Sequence, residues 1–172
     1  TNVCWGVSNR SALVRVPLGW TAKIDMMSQA NPQEKQEMRD LSDKQTVEMR
    51  SPDGSADVYQ LIAGLCVACR HGFEMEHPLE VAEATFVEGD IHDEAHRKQL
   101  SQLKELPDSC AASADCLERQ RAIFEKHGVF SPLMIDAILA DLRGFNDRTL
   151  RADIANDPEA MEKLVRRFIH CG

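Results

Sequence analysis

The pattern of apolar residues changes its period once along this chain, near Ser55, and that change limits the folds open to it. Before it, residues 3–7 and 12–16 read as strands around a polar turn, Ser8-Asn9-Arg10-Ser11. In the second run Ala12, Val14 and Val16 alternate with Leu13 and Arg15, so Arg15 projects from the face opposite the valines. A third extended run is expected over about residues 46–51. After Ser55 the spacing becomes helical. Strands first and helices after is the pattern of an α+β domain: antiparallel strands within about residues 3–51, helices within about 56–170. With 172 residues, 43% of them hydrophobic, the chain can bury a real core.

The helical part carries its own punctuation. Residues 56–75 include Tyr59, Ile62, Ala63, Leu65, Cys66, Cys69 and Phe73 and are apolar nearly all round, so a central buried helix is expected. A polar stretch follows, with a helix near residues 92–106 ended by Pro107. Ser113 is placed to cap a helix running to His127, closed by Gly128. Ser131-Pro132 starts a helix over 133–145 whose inner side is Leu133, Ile135, Ile138, Leu139 and Leu142; Asp157-Pro158 starts the last, reaching about His170. Earlier, Asn31, Pro32 and Glu34 have the order of a capping box for a helix over 32–41. No repeat or low-complexity segment interrupts the series, and the whole reads as one domain.

A net charge of −8 argues against nucleic acid as a partner, because binding phosphate backbones wants a basic surface. No run approaches the roughly 20 apolar residues of a membrane span. The start, T-N-V-C-W-G-V, has no Met and reads as a strand already under way, as in a piece of a longer protein. Six cysteines raise the question of disulfides or zinc, but Cys66 and Cys69 sit in the apolar helix, Cys4 and Cys171 at opposite ends, and Cys110 with Cys116 lacks zinc-ribbon spacing. Reduced, mostly buried cysteines and a cytoplasmic setting are expected. His92 and His96 stand four apart, a spacing that can bind metal, yet their polar surroundings read as a solvated face.

Chemistry concentrates in two segments, S-N-R-S-A-L-V-R-V-P at residues 8–17 and V-E-M-R-S-P-D-G-S-A at residues 47–56. In the second, Glu48 and Arg50 are two apart in an extended run, which aims both at one face. In isolation this is a common solvated charge pattern, and two arginines near a turn are usually surface charges. Together they supply cations for phosphate beside a carboxylate able to hold a divalent ion, which is what phosphoryl transfer requires. Arg10 and Arg15, five apart, can meet one ligand only if Arg10 lies in the turn and bends back.

The two segments resemble motifs of the glutamine synthetase family, N-R-S-A-x-x-R-x-P and E-x-R-x-P-D. They match at Asn9, Arg10, Ser11, Ala12, Arg15 and Pro17, then at Glu48, Arg50, Pro52 and Asp53. The Gly-Val-Phe before Ser131 is similar too, in a packing role. The connection over about residues 18–45 is long for the family and reads as an insertion. The resemblance implies the C-terminal part of a catalytic domain whose strands line the active site. It implies that Arg10 and Arg15 contact the phosphates of ATP, that Glu48 is a ligand of Mg²⁺ or Mn²⁺, and that Arg50 holds a carboxylate of glutamate. Ammonia would be the second substrate, the whole enzyme a homo-oligomer, and the fragment alone inactive, since the family's other metal and ammonia sites lie upstream. Two alternatives stay open: a ligase joining glutamate to a larger amine, and a non-catalytic structural relative. Some members are adenylylated on a tyrosine after the central helix; with Tyr59 the only tyrosine, and expected inside that helix, this control looks absent.

Overall fold

A computed structural model of the chain describes residues 2–17, 25–33, 42–89 and 97–169. They form two compact units, one of residues 1–51 with 79–105, the other of 52–78 with 106–172.

The first unit is built on three short strands, β1 (Trp5–Val7), β2 (Val14–Val16) and β3 (Glu48–Met49), in the order β1-β2-β3. β2 and β3 are antiparallel, with Arg15 opposite Glu48 and Val14 opposite Met49. β1 and β2 are parallel, Trp5 facing Val14 and Val7 facing Val16, which corrects the all-antiparallel expectation. A two-residue hairpin would have forced antiparallel pairing. Here residues 8–13 instead wind into a compact loop that delivers β2 in the same direction as β1. Ser8 takes a left-handed conformation, with φ 56°, and its amide donates to the Val16 carbonyl at 2.8 Å. Beside β1 the chain returns at Phe86, which bridges to Trp5, and the Val87 amide donates to the Trp5 carbonyl at 2.9 Å.

Two short helices, α1 (Met26–Ala30), capped by Asp25, and α3 (Pro78–Thr85), accompany the strands, with a further turn, α4, at Arg97–Leu100. Helix α2 (Val58–Glu74) belongs to the second unit. The Trp5 indole donates to the Ala82 carbonyl at 2.7 Å, and its ring lies 4.8 Å from that of Phe86. Cys4, Ala12 and Val87 form a small core, with Leu100 and Leu103 packed on it.

The second unit is helical: α2 (Val58–Glu74), α5 (Cys110–Glu125), α6 (Pro132–Gly144), α7 (Leu150–Ile154) and α8 (Pro158–Phe168). Asp57 caps α2, taking the amides of Tyr59 and Gln60. Just before it, Asp53 accepts from the Ser55 hydroxyl and amide, which hold its carboxyl below the usual range. The core is Val67, Ala114, Phe130, Ile135 and Leu139, and Phe130 meets Phe124 edge to face. Ser131 and Asp157 cap α6 and α8, as their sequence setting predicts.

Several expectations are corrected. α2 is not buried: Val67 is its only buried residue, while Tyr59 is 88% and Phe73 89% exposed. A helix apolar nearly all round needs cover on every side, and the described residues cover one side. Cys66 and Cys69 on α2 are accordingly exposed; both are free thiols, as are Cys4, Cys110 and Cys116. α5 is capped by Ser109, not Ser113, and ends at Glu125, after which His127 and Gly128 both take positive φ to turn the chain. Leu133 is exposed rather than inward. Asn31 closes α1 instead of opening a helix; residues 34–41, where most of that helix would fall, lie outside the described residues, as do His92 and His96. Of the helix expected near 92–106, the described part is the single turn α4. Helices α3 and α7 were not anticipated.

The start of α5 shows why Ser109 wins. Asp147, far along the chain, accepts the Cys110 amide at 2.7 Å and the Ala111 amide at 3.1 Å, and the Ser109 hydroxyl accepts the Ala112 amide. Three of the amides that a helix start leaves without partners are thereby satisfied. Burial pushes the Asp147 carboxyl upward, but the Cys110 and Ala111 amides outweigh it and hold it below the usual range.

A carboxylate depressed in this way stabilises the fold fully above its unfolded value, and the contribution disappears as pH falls through the folded one. Asp147→Ala is therefore expected to cost about 1–2 kcal/mol at neutral pH, and Asp147→Asn to flatten the acid limb of stability. Urea unfolding at pH 7 and across the acid range checks both; an acid limb unchanged in Asp147→Asn would contradict the assignment. In the first unit, a Cβ on Gly6 would lie 2.6 Å from the Val87 carbonyl oxygen and 2.9 Å from the Asn9 Cβ. Gly6→Ala is expected to cost about 1–3 kcal/mol, read as a lower urea midpoint, and an unchanged midpoint would refute this close approach.

Candidate active site

Arg15, Glu48 and Arg50 come together on one face of the sheet. β2 and β3 pair so that Arg15 stands directly across from Glu48, where cross-strand side chains on one face touch. The Arg15 guanidinium donates to Glu48 Oε2 through Nη2, and through Nε at 3.1 Å. Two residues on, Arg50 returns to the same face, its Nε 3.9 Å from Glu48 Oε1. The Arg50 amide continues the ladder to the Leu13 carbonyl at 3.1 Å, and its Nη1 donates to the Ala12 carbonyl at 3.4 Å. Glu48 thus lies between two guanidinium groups, and the anticipated spacing of Glu48 and Arg50 holds.

Arg10 is placed differently. It occupies the turn of the 8–13 loop, as expected, with its side chain exposed, and it makes no hydrogen bond or ion pair among the described residues. The residue beside it, Asn9, is the one buried polar side chain among the described residues, at 7% exposure. Its carboxamide nitrogen donates to the carbonyls of Val87, at 3.3 Å, and Gly89. Its oxygen accepts the Ser11 amide at 3.0 Å and the Ser11 hydroxyl at 2.6 Å. Sequence reasoning noticed Asn9 only as part of a motif. The spacing Asn-x-Ser, in which a side-chain oxygen caps an amide two residues on, was the local signal; its two long-range bonds had none.

The arrangement sets two cations, Arg15 and Arg50, against one carboxylate, with Arg10 outside the ion-paired cluster. Glu48 offers a hard oxygen donor, Oε1, which lies 3.9 Å from Arg50 Nε, beyond hydrogen-bond distance. It fits a divalent ion as a single ligand. Among the described residues no group of three or more His, Cys, Asp or Glu side chains could hold a metal by itself. No helix described is long and apolar enough to cross a membrane.

Comparison with known proteins bears on this site. The sequence model of the family described as "Glutamine synthetase, catalytic domain" matches residues 1–144, which include Arg10, Arg15, Glu48 and Arg50. A glutamine synthetase of Pyrococcus abyssi is 30% identical over 128 residues, covering 73% of this chain and 23% of that protein. Another, of Pyrococcus horikoshii, is 28% identical over 128 residues with the same coverage. The chain therefore spans 23% of the length of these relatives. No solved structure matches significantly. With the family model covering most of the chain and both motifs inside the match, the chain belongs to the glutamine synthetase catalytic-domain family.

Proposed function

We propose that this chain is the C-terminal part of the catalytic domain of a glutamine synthetase, which joins ammonia to the γ-carboxylate of glutamate at the expense of ATP. The observation that carries the reading is the Arg15–Glu48–Arg50 cluster on one sheet face, with exposed Arg10 on the loop leading into β2. In the reaction, a γ-carboxylate oxygen of glutamate attacks the γ-phosphorus of ATP and ADP leaves, giving γ-glutamyl phosphate. Ammonia then attacks the acyl carbon and phosphate leaves with that carboxylate oxygen.

Arg10 and Arg15 bind the phosphates and oppose the charge that builds on the transferring group, the largest contribution a protein makes to such chemistry. Arg50 takes a substrate carboxylate with its planar fork. Glu48 keeps Arg15 and Arg50 on the face and supplies one ligand to Mg²⁺ or Mn²⁺. When bound, that ion neutralises phosphoryl oxygens. Its other ligands come from elsewhere in the enzyme, so the 172-residue chain is inactive by itself.

The exposed apolar stripe of α2, with Tyr59, Ile62, Cys66, Cys69 and Phe73 at alternating three- and four-residue steps, supports a place within a larger, homo-oligomeric enzyme. The free thiols suit a cytoplasmic one.

The test is ATP-dependent phosphate release by the full-length enzyme with glutamate and Mg²⁺, first with ammonia and then with a panel of larger amines. Turnover with ammonia, falling about 10²-fold or more in Arg10→Ala, is expected. Turnover with larger amines only would make the protein a γ-glutamyl-amide ligase. None at all from folded enzyme would leave a structural relative.

A further inference from the structure

Arg15 and Arg50 are held from two directions, by their own backbone and by Glu48. Arg10 has no such tether among the described residues, so its position comes from the backbone of the loop alone. The backbone on either side of Arg10 is held by the side chain of Asn9; Arg50 reaches the loop further on, at the Ala12 carbonyl. Asn9 is buried, and a buried amide is costly unless each polar atom finds a partner. Here the nitrogen bonds two carbonyls of the neighbouring segment, at Val87 and Gly89, and the oxygen bonds Ser11 twice. Arg10 therefore sits between two residues, Asn9 and Ser11, that are locked to each other, and the lock is fastened to the segment beside β1.

Other features are arranged around the same lock. Gly6 has no Cβ, and one there would press on Asn9 Cβ at 2.9 Å and Nδ2 at 3.2 Å. Ser8 adopts a positive φ immediately before it. The chemistry singles out asparagine: Asp has no N–H to offer the two carbonyls, and Ser has neither the reach nor the second donor.

We infer that Asn9 is a positioning residue for phosphoryl transfer, acting through Arg10: its buried carboxamide holds the guanidinium of Arg10 where the phosphates of ATP are bound. This rests on the phosphate-binding reading of Arg10 given above. It adds that the placement of that cation is set by a neutral residue which touches no substrate. Displacement of a catalytic cation by about 1 Å is enough to lose roughly 10²-fold in rate.

A double-mutant cycle in the full-length enzyme tests it, with Asn9→Ala, Arg10→Ala and the double variant assayed for ATP-dependent phosphate release. The inference expects Asn9→Ala to lower kcat about 10- to 100-fold while the KM for glutamate stays within about twofold. It expects the double variant to be no slower than Arg10→Ala alone, because removing the guanidinium removes what Asn9 acts on. Losses that multiply in the double variant would show a merely structural role and overturn the inference. A full rate in Arg10→Ala would remove the phosphate reading itself, an outcome distinct from a multiplicative cycle. Should Asn9→Ala not fold, Ser11→Ala, which takes away one hydroxyl that Asn9 accepts and leaves the amide in place, carries the same cycle.

Discussion

One buried amide organises the strand layer. Asn9 fastens residues 8–13 to the segment beside β1, and the Ser8 amide and Arg50 hold the rest of the loop, so β1 and β2 run parallel across a connection shorter than the usual crossover of about a dozen residues. The four hydrogen bonds of Asn9 offset a desolvation cost of order 1–3 kcal/mol, and they decide geometry as well as stability. The loop exit sets the register of β2, the register puts Arg15 across from Glu48, and Glu48 draws in Arg50.

The ion pairs on that face contribute little to holding the fold. Arg15 and Glu48 keep 21% and 41% of their side-chain surface in water, and pairs this exposed are worth about 0–1 kcal/mol. A carboxylate set between two guanidinium groups does more for placement than for stability. The second unit shows the opposite use of a carboxylate. Asp147 faces two helix amides, not a cation, and closes the N-terminus of α5 from the far side of α6. Similar groups thus pair with guanidinium groups in one unit and cap a helix in the other.

Much of this was legible in the residues. Alternation around Arg15 and the Glu48–Arg50 spacing placed the site face, and the Ser131-Pro132 and Asp157-Pro158 pairs placed α6 and α8, because caps and strand periods are local physics. What local patterns cannot carry is the partner. Ser109 and Ser113 are equally good caps until Asp147 arrives to take the amides of Cys110 and Ala111. The bonds that bury Asn9 run to Val87 and Gly89, 78 and 80 residues away, beyond the reach of any local pattern. The apolar content of α2 was read correctly, but whether a helix is covered depends on what lies against it, and in this chain Tyr59 and Phe73 face water. Asn9 was visible as a letter in a motif; its burial belongs to the tertiary structure.

The role proposed for this sheet face is the transfer of a phosphoryl group to the side chain of glutamate. The most direct measurement follows oxygen. Glutamate labelled with ¹⁸O in its γ-carboxylate is given to the full-length enzyme with ATP, Mg²⁺ and ammonia, and the released phosphate is examined by mass spectrometry. Transfer of one labelled oxygen into each phosphate formed is the predicted result, because the carboxylate oxygen that attacks phosphorus leaves with it. Phosphate released without label would mean that water, not glutamate, accepts the phosphoryl group, and would contradict the account.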